Sequence, residues 1–96
     1  LSRYVLTARA ERDLLAIFLQ SIELFGVPQA RRYRDSLKNC FELIAGNPDM
    51  GRPASRIGEG VRRHEHQSHI ILYDKVSEGV RILALVPSKS VRLLKL

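Results

Sequence analysis

Residues 68–86 read Ser68-His69-Ile70-Ile71-Leu72-Tyr73-Asp74-Lys75-Val76-Ser77-Glu78-Gly79-Val80-Arg81-Ile82-Leu83-Ala84-Leu85-Val86. Two runs rich in β-branched and aromatic residues flank a short polar turn that ends in glycine, the pattern of a β-hairpin. One strand is expected over Ser68–Lys75 and the next over Val80–Val86, with Ser77-Glu78-Gly79 between them. Pro87 should stop the second strand, because it has no N–H to give the ladder. Upstream, Val61-Arg62-Arg63-His64 reads as a further strand and Glu65-His66-Gln67 as its turn. A strand with one face in water should alternate apolar and polar residues. These do not. Ile70 and Leu72 stand against His69, Ile71 and Tyr73, and Ile82, Ala84 and Val86 stand against Arg81, Leu83 and Leu85. The face away from any covering helices is therefore expected to present apolar and aromatic surface among Arg and His. Such a face suits a docking partner.

Working outward, Arg3-Tyr4-Val5-Leu6 is a short β-prone run, and Thr7 is a good helix N-cap. Ala10, Leu14, Ile17, Ser21 and Leu24 then recur at helical spacing, in a stripe widened by Leu15, Phe18 and Ile22. Gly26 ends this helix, and Val27-Pro28 opens another, where the missing N–H of Pro28 costs nothing. Ala30, Tyr33, Leu37, Phe41 and Ile44 form its stripe, with Cys40 alongside, until Gly46 and Pro48. The link is only a few residues long, so the helices should form an antiparallel hairpin. Asn47 to Gly60, with its prolines and glycines, reads as loop. The order β-α-α-β-β-β predicts an α+β fold: an N-terminal strand and a helical hairpin on one face of a small, mainly antiparallel sheet.

Ninety-six residues make one domain, 1–96. A hydrophobic fraction of 45% with 27% charged residues is globular. The longest apolar runs, Ile70–Tyr73 and Leu83–Val86, are too short for a transmembrane helix, and no signal-peptide core opens the sequence. No membrane association and a cytoplasmic location are expected. The lone Cys40 excludes an intrachain disulfide, points to a reducing compartment, and reads as a buried helical residue. The formal net charge is +6, from 16 Lys+Arg and 10 Asp+Glu. Residues 81–96 hold Arg81, Lys89, Arg92 and Lys95 and no acid, so they carry +4 and the first 80 residues only +2. A cationic end of this kind attracts an acidic protein, nucleic acid, or an enzyme holding nucleic acid.

Motifs for bound groups are weak. His64-x-His66 with His69 lacks Cys or carboxylate partners at ligand spacing, so no metal is expected. Gly58-x-Gly60 is too short for a phosphate loop and leads into no helix. No cofactor is expected. Arg31, Arg32, Arg34 and Lys38 cluster on the second helix, but Asp35 and Glu42 intervene, so direct sequence-specific DNA binding is not expected.

Five segments in order resemble the ParE toxins of the ParE/RelE superfamily. They are Tyr4-Val5-Leu6-Thr7-x-x-Ala10-x-x-Asp13-Leu14-x-x-Ile17; Phe25-Gly26-x-x-Gln29-Ala30-x-x-Tyr33-x-x-x-Leu37; Asn47-Pro48-x-x-Gly51-Arg52; Gly60-Val61-Arg62-Arg63; and Gln67-Ser68-His69-Ile70-Ile71-Leu72-Tyr73. The resemblance implies the same fold and a non-enzymatic toxin of a type II toxin–antitoxin pair. Such a toxin inhibits DNA-bound gyrase and is neutralised by a ParD-like antitoxin laid along it. On that reading the antitoxin surface is Leu14, Ile17 and Phe18 with Arg62, Arg63, Ile71, Tyr73 and Leu83. The target surface is Arg81, Lys89, Arg92 and Lys95.

One stretch departs from the family. Its last strand usually runs into Leu-His-x-x-Met-Asp/Asn, whereas here Pro87 takes the His position and Ser90 the Met position. That departure raises one alternative, a non-toxic antitoxin-binding module. A second alternative is a RelE-like ribosome-dependent ribonuclease, which needs a base, an acid and cations at the phosphate. Its candidates are His64, His66, His69, Tyr73, Arg62, Arg63 and Arg81.

Overall fold

The computed structural model describes residues 3–93, with side chains described through residue 90. Strand β1 (Arg3–Leu6) leads into helices α1 (Ala8–Phe25) and α2 (Val27–Gly46). Strands β2 (Arg52–Pro53), β3 (Arg62–His66), β4 (His69–Val76) and β5 (Gly79–Pro87) follow, and a 3-10 turn covers Ser88–Leu93. The sheet order is β1-β5-β4-β3-β2. β1 runs parallel to β5, and every other pairing is antiparallel. The helical hairpin on a mainly antiparallel sheet is therefore the observed fold. β2, a two-residue strand inside the expected loop, and the 3-10 turn are additions to it.

The helix boundaries have local causes. The Thr7 side chain accepts a hydrogen bond from the Ala10 N–H at 3.1 Å, which caps α1. Its hydroxyl also donates to the Leu83 carbonyl at 2.9 Å, tying the helix start to β5. Farther along α1, Asp13 accepts from the Leu85 N–H at 3.0 Å. β1 spans only four residues, so α1 side chains satisfy part of the β5 edge that β1 cannot reach. Gly79 has φ +156°, and a Cβ there would lie 1.8 Å from the Arg3 carbonyl oxygen. Only glycine lets β1 close against the β4–β5 turn.

Two apolar layers sandwich the sheet. On the helix side, Leu37, Phe41 and Ile44 meet Ile71, Tyr73, Val80 and Ile82, all at 0% exposure. Each such side chain contributes roughly 1.5–3 kcal/mol by leaving water. On the far side, Ile70, Leu72, Ala84 and Val86 are covered by Ala54, Ile57 and Val61.

The expectation of an uncovered apolar face is thereby corrected. The segment after α2 folds across that face and buries it, which explains why β4 and β5 do not alternate. The expected strand parity fails at one residue. Leu72 pairs with Ala84 and Tyr73 with Ile82, so Leu83 is an unpaired bulge. A bulge swaps the faces of everything beyond it. Ile82 thus joins the helix-side core, while Ala84 and Val86 join the far-side one.

Candidate functional site

A concavity lies where the helical hairpin overhangs the sheet. It is a groove of about 930 Å³. Ile17, Leu24 and Phe25 from α1 and Tyr33 from α2 supply apolar wall. Opposite them stand Gln67, Ser68 and His69 from the β3–β4 turn, and Pro87, Ser88 and Lys89 after β5. Leu24 and Phe25 are 64% and 60% exposed. The reading of Leu24 as part of the core stripe is corrected accordingly. The stripe continues past the end of the sheet, so its last apolar residues line the groove.

A pair of histidine contacts holds one wall. His66 ends β3 and pairs across the turn with His69, the first residue of β4. The hairpin turn is therefore Gln67-Ser68, not the expected Glu65-His66-Gln67, and Gln67 adopts φ 53° to make it. Tyr33 Oη lies 2.7 Å from His69 Nδ1, and Ser36 Oγ lies 3.0 Å from His66 Nε2. Both imidazoles stack obliquely on the Tyr33 ring, with centroids 5.8 Å (His66) and 5.6 Å (His69) from it. Burial, and then the neighbouring His64, lowers the His66 pKa; burial, and then His66, lowers that of His69. Burial pushes the Tyr33 phenol up. Neutral rings with hydroxyl partners make this wall a structural clasp between β-hairpin and α2.

At the other end of the β3–β4 pair, Tyr73 staples the segment after α2. Its hydroxyl donates to the Pro48 carbonyl and accepts from the Gly51 N–H, both at 2.8 Å. A Cβ on Gly51 would lie 2.5 Å from that hydroxyl oxygen and 2.8 Å from the Arg63 carbonyl oxygen. Arg62 completes the staple by donating to the Gly51 and Asp49 carbonyls, each at 3.0 Å. Lys75 pairs with Asp49 at 2.5 Å, which lowers the Asp49 pKa through the hydrogen bond and the added charge.

The residues singled out from sequence fall into distinct places. Ile71 and Tyr73 are fully buried and offer no surface, and Ile17 is 9% exposed. Leu14 packs half-buried on the helix-side core, and Leu83 on the far-side one. Phe18 lies under the Arg34 guanidinium at 4.9 Å. Arg62 is occupied by the staple. Arg63 reaches Glu65 at 3.7 Å, and its Nε is buried without a partner among the described residues. Arg81 makes two hydrogen bonds to Asp74, at 3.1 and 2.6 Å, which raise its pKa. Lys89 is exposed on the groove rim. The Arg92 side chain and Lys95 lie outside the described residues.

The ribonuclease candidates do not converge. His69 and Tyr73 face the helices, Tyr73 inside the core. Arg81 pairs with Asp74 on the opposite face. Among the described residues, no cluster of three His, Cys, Asp or Glu is placed to hold a metal. No described helix is long and apolar enough to cross a membrane.

Comparison with known proteins is consistent throughout. Residues 4–91 match the family model for the ParE toxin of the type II toxin–antitoxin system parDE. Toxin ParE1 of Caulobacter vibrioides is 38% identical over 79 residues, covering 82% of this chain and 79% of that protein. Toxin ParE1 of Mycobacterium tuberculosis is 34% identical over 86 residues, covering 85% and 88%. A solved structure of a chromosomal ParDE toxin–antitoxin system from P. aeruginosa superposes with a TM-score of 0.76 at 21% identity, over 90% of this chain and 95% of that one. That likeness concerns the fold.

Proposed function

Because the chain belongs to the ParE toxin family of type II toxin–antitoxin systems, we propose that it inhibits DNA gyrase without catalysing a reaction and is silenced by a ParD-like antitoxin. The family match across residues 4–91 carries this reading. The scattering of the ribonuclease candidates over two faces and the core supports the non-enzymatic part.

The charge distribution supports a target surface after β5. Arg81 is engaged by Asp74, whereas Lys89 meets no carboxylate among the described residues, and the sequence goes on to Arg92 and Lys95. A cationic segment there suits an acidic patch on gyrase or the DNA that gyrase holds. For the antitoxin, the named residues with surface to give are Leu14, Phe18, Leu83 and Arg63. Ile71 and Tyr73 act behind them by fixing the sheet.

Pro87 and Ser90 favour one second reading, a non-toxic module that only binds antitoxin. Induction in cells lacking the antitoxin separates the readings. Filamentation with DNA damage, and inhibition of purified gyrase in a supercoiling assay, is the expected result. Translation arrest with cleaved messenger RNA would replace gyrase by the ribosome, and growth without a phenotype would leave the silent module.

A further inference from the structure

Helix α1 carries two apolar rows. One, with Ala10, Leu14 and Ile17, packs on the sheet. The other runs along the solvent side, where Leu15 and Leu19, one turn apart, are 58% and 53% exposed. A helix that only covers a sheet turns a polar face to water. The ends of this outer row are charged. Arg12 and Glu23 stand eleven residues apart, which is three turns and about 16 Å, so they share one side of the helix. Both are exposed, and neither forms an ion pair among the described residues. None of Arg12, Leu15, Leu19 and Glu23 lines the groove.

We propose that this outer face of α1 is a self-association surface, on which a second copy of the chain packs antiparallel about a two-fold axis. A partner of one charge sign would be attracted at one end of the row and repelled at the other. A second copy, turned end for end, is attracted at both. With the axis level with residues 17 and 18, Arg12 meets the partner's Glu23, and Glu23 meets the partner's Arg12. Leu15 of each copy then lies against the partner's Leu19, and the small, exposed Ala16 beside them lets the helices approach closely. The contact is isologous, each copy offering the same patch. Phe18 bounds the row on the α2 side, under the Arg34 guanidinium at 4.9 Å. The leucines drive the association by leaving water, and the charges set its direction and register. Two crossing helices cover less than a standard interface of roughly 1,600 Å², so the dimer is reversible. Each copy carries a net charge of +6, whose repulsion opposes pairing, so added salt tightens the dimer by screening it. The proposal is independent of the gyrase and antitoxin readings.

The test is sedimentation equilibrium of the whole chain, from about 10 μM to about 1 mM. The expected result is a reversible monomer–dimer equilibrium. Leu19→Glu, at an exposed position, should leave only monomer with an unchanged thermal melt. Arg12→Glu and Glu23→Arg, also at exposed positions, each set like charges together twice in the dimer, and each should raise the dimer Kd at least about tenfold. An equimolar mixture of those two variants re-forms both pairs with the signs reversed, so the mixed dimer should return to the wild-type Kd. The double variant Arg12→Glu/Glu23→Arg should recover it as well. A wild-type chain that stays monomeric throughout the range overturns the proposal, and antitoxin binding lost in Leu19→Glu would then assign the face to the antitoxin. A dimer that ignores Leu19→Glu, or a mixture that recovers nothing, overturns it too, because the copies would then meet elsewhere or in another register.

Discussion

Replacing Tyr73 with Phe removes one oxygen from the interior and should be among the costliest conservative changes in the molecule. The ring is 0% exposed and would stay in place. The lost hydroxyl serves two partners, the Pro48 carbonyl and the Gly51 N–H, both at 2.8 Å. Gly51 is itself buried, so its N–H would lose its partner out of reach of water. Each hydrogen bond contributes about 1 kcal/mol net, and a buried group left unpaired costs about 1–3 kcal/mol. The two ends together give a loss of about 2–4 kcal/mol. For a domain of this size that lowers Tm by roughly 8–20 °C. Urea unfolding followed by circular dichroism measures it directly, with an unchanged slope marking a folded-state effect. A loss below about 0.5 kcal/mol would refute the reasoning, since it would mean that water replaces the hydroxyl and that Arg62 alone holds the segment. A double-mutant cycle with Arg62→Met tests that last point, because both side chains grip residues 48–51 and their effects should not add.

Four further outcomes are expected. Thr7→Ala removes both the α1 cap and the donor to the Leu83 carbonyl, and should cost about 1–2 kcal/mol in urea unfolding, most of it recovered by Thr7→Ser. His66 and His69 have folded pKa values below the unfolded one, so the unfolded chain binds more protons in that window. Stability should therefore be full above about pH 7 and fall as pH drops through 6.5 toward the folded values, and a His66→Gln/His69→Gln chain should flatten that slope. Arg63→Glu should weaken antitoxin binding by at least about 1.4 kcal/mol if its charge is paired in a desolvated interface; an unchanged Kd by calorimetry would take Arg63 off that surface. Deleting Lys89–Leu96 should abolish growth arrest while the thermal melt shows a folded domain, and arrest that survives the deletion would place the toxic surface elsewhere.

How far the sequence speaks for itself depends on the length scale of the signal. Helical stripes and hairpin turns are local, so α1, α2 and the β4–β5 hairpin follow from residues close together in the chain. The sheet faces depend on one residue. Leu83 carries no mark of a bulge, yet skipping it moves Ala84 and Val86 to the opposite layer. The burial of the far face was likewise out of reach of local pattern. Ala54 and Ile57 sit in a stretch whose glycines and prolines announce loop, and Val61 opens an expected strand, yet together they cover the far face of the sheet. Periodicity also cannot say where a helix outruns its sheet, which is why Leu24 reads as core and stands in the groove. His66 and His69 read as isolated histidines because their partners, Ser36 and Tyr33, lie 30 and 36 residues away.

The C-terminal departure from the family pattern acquires a location from this geometry. Pro87 is the last residue of β5, pairs with His69, and lines the groove. In the family pattern a histidine occupies that place, directly across from His69. A second imidazole there would add a titrating group to a wall that already holds His66 and His69 beside Arg32 and Lys89. Proline adds no charge and no N–H, so His69 remains the titratable side chain facing the groove from this strand pair. The substitution leaves the fold intact, since proline is tolerated where a strand ends. What changes is the chemistry of one groove wall and the entry into the cationic segment that begins at Lys89.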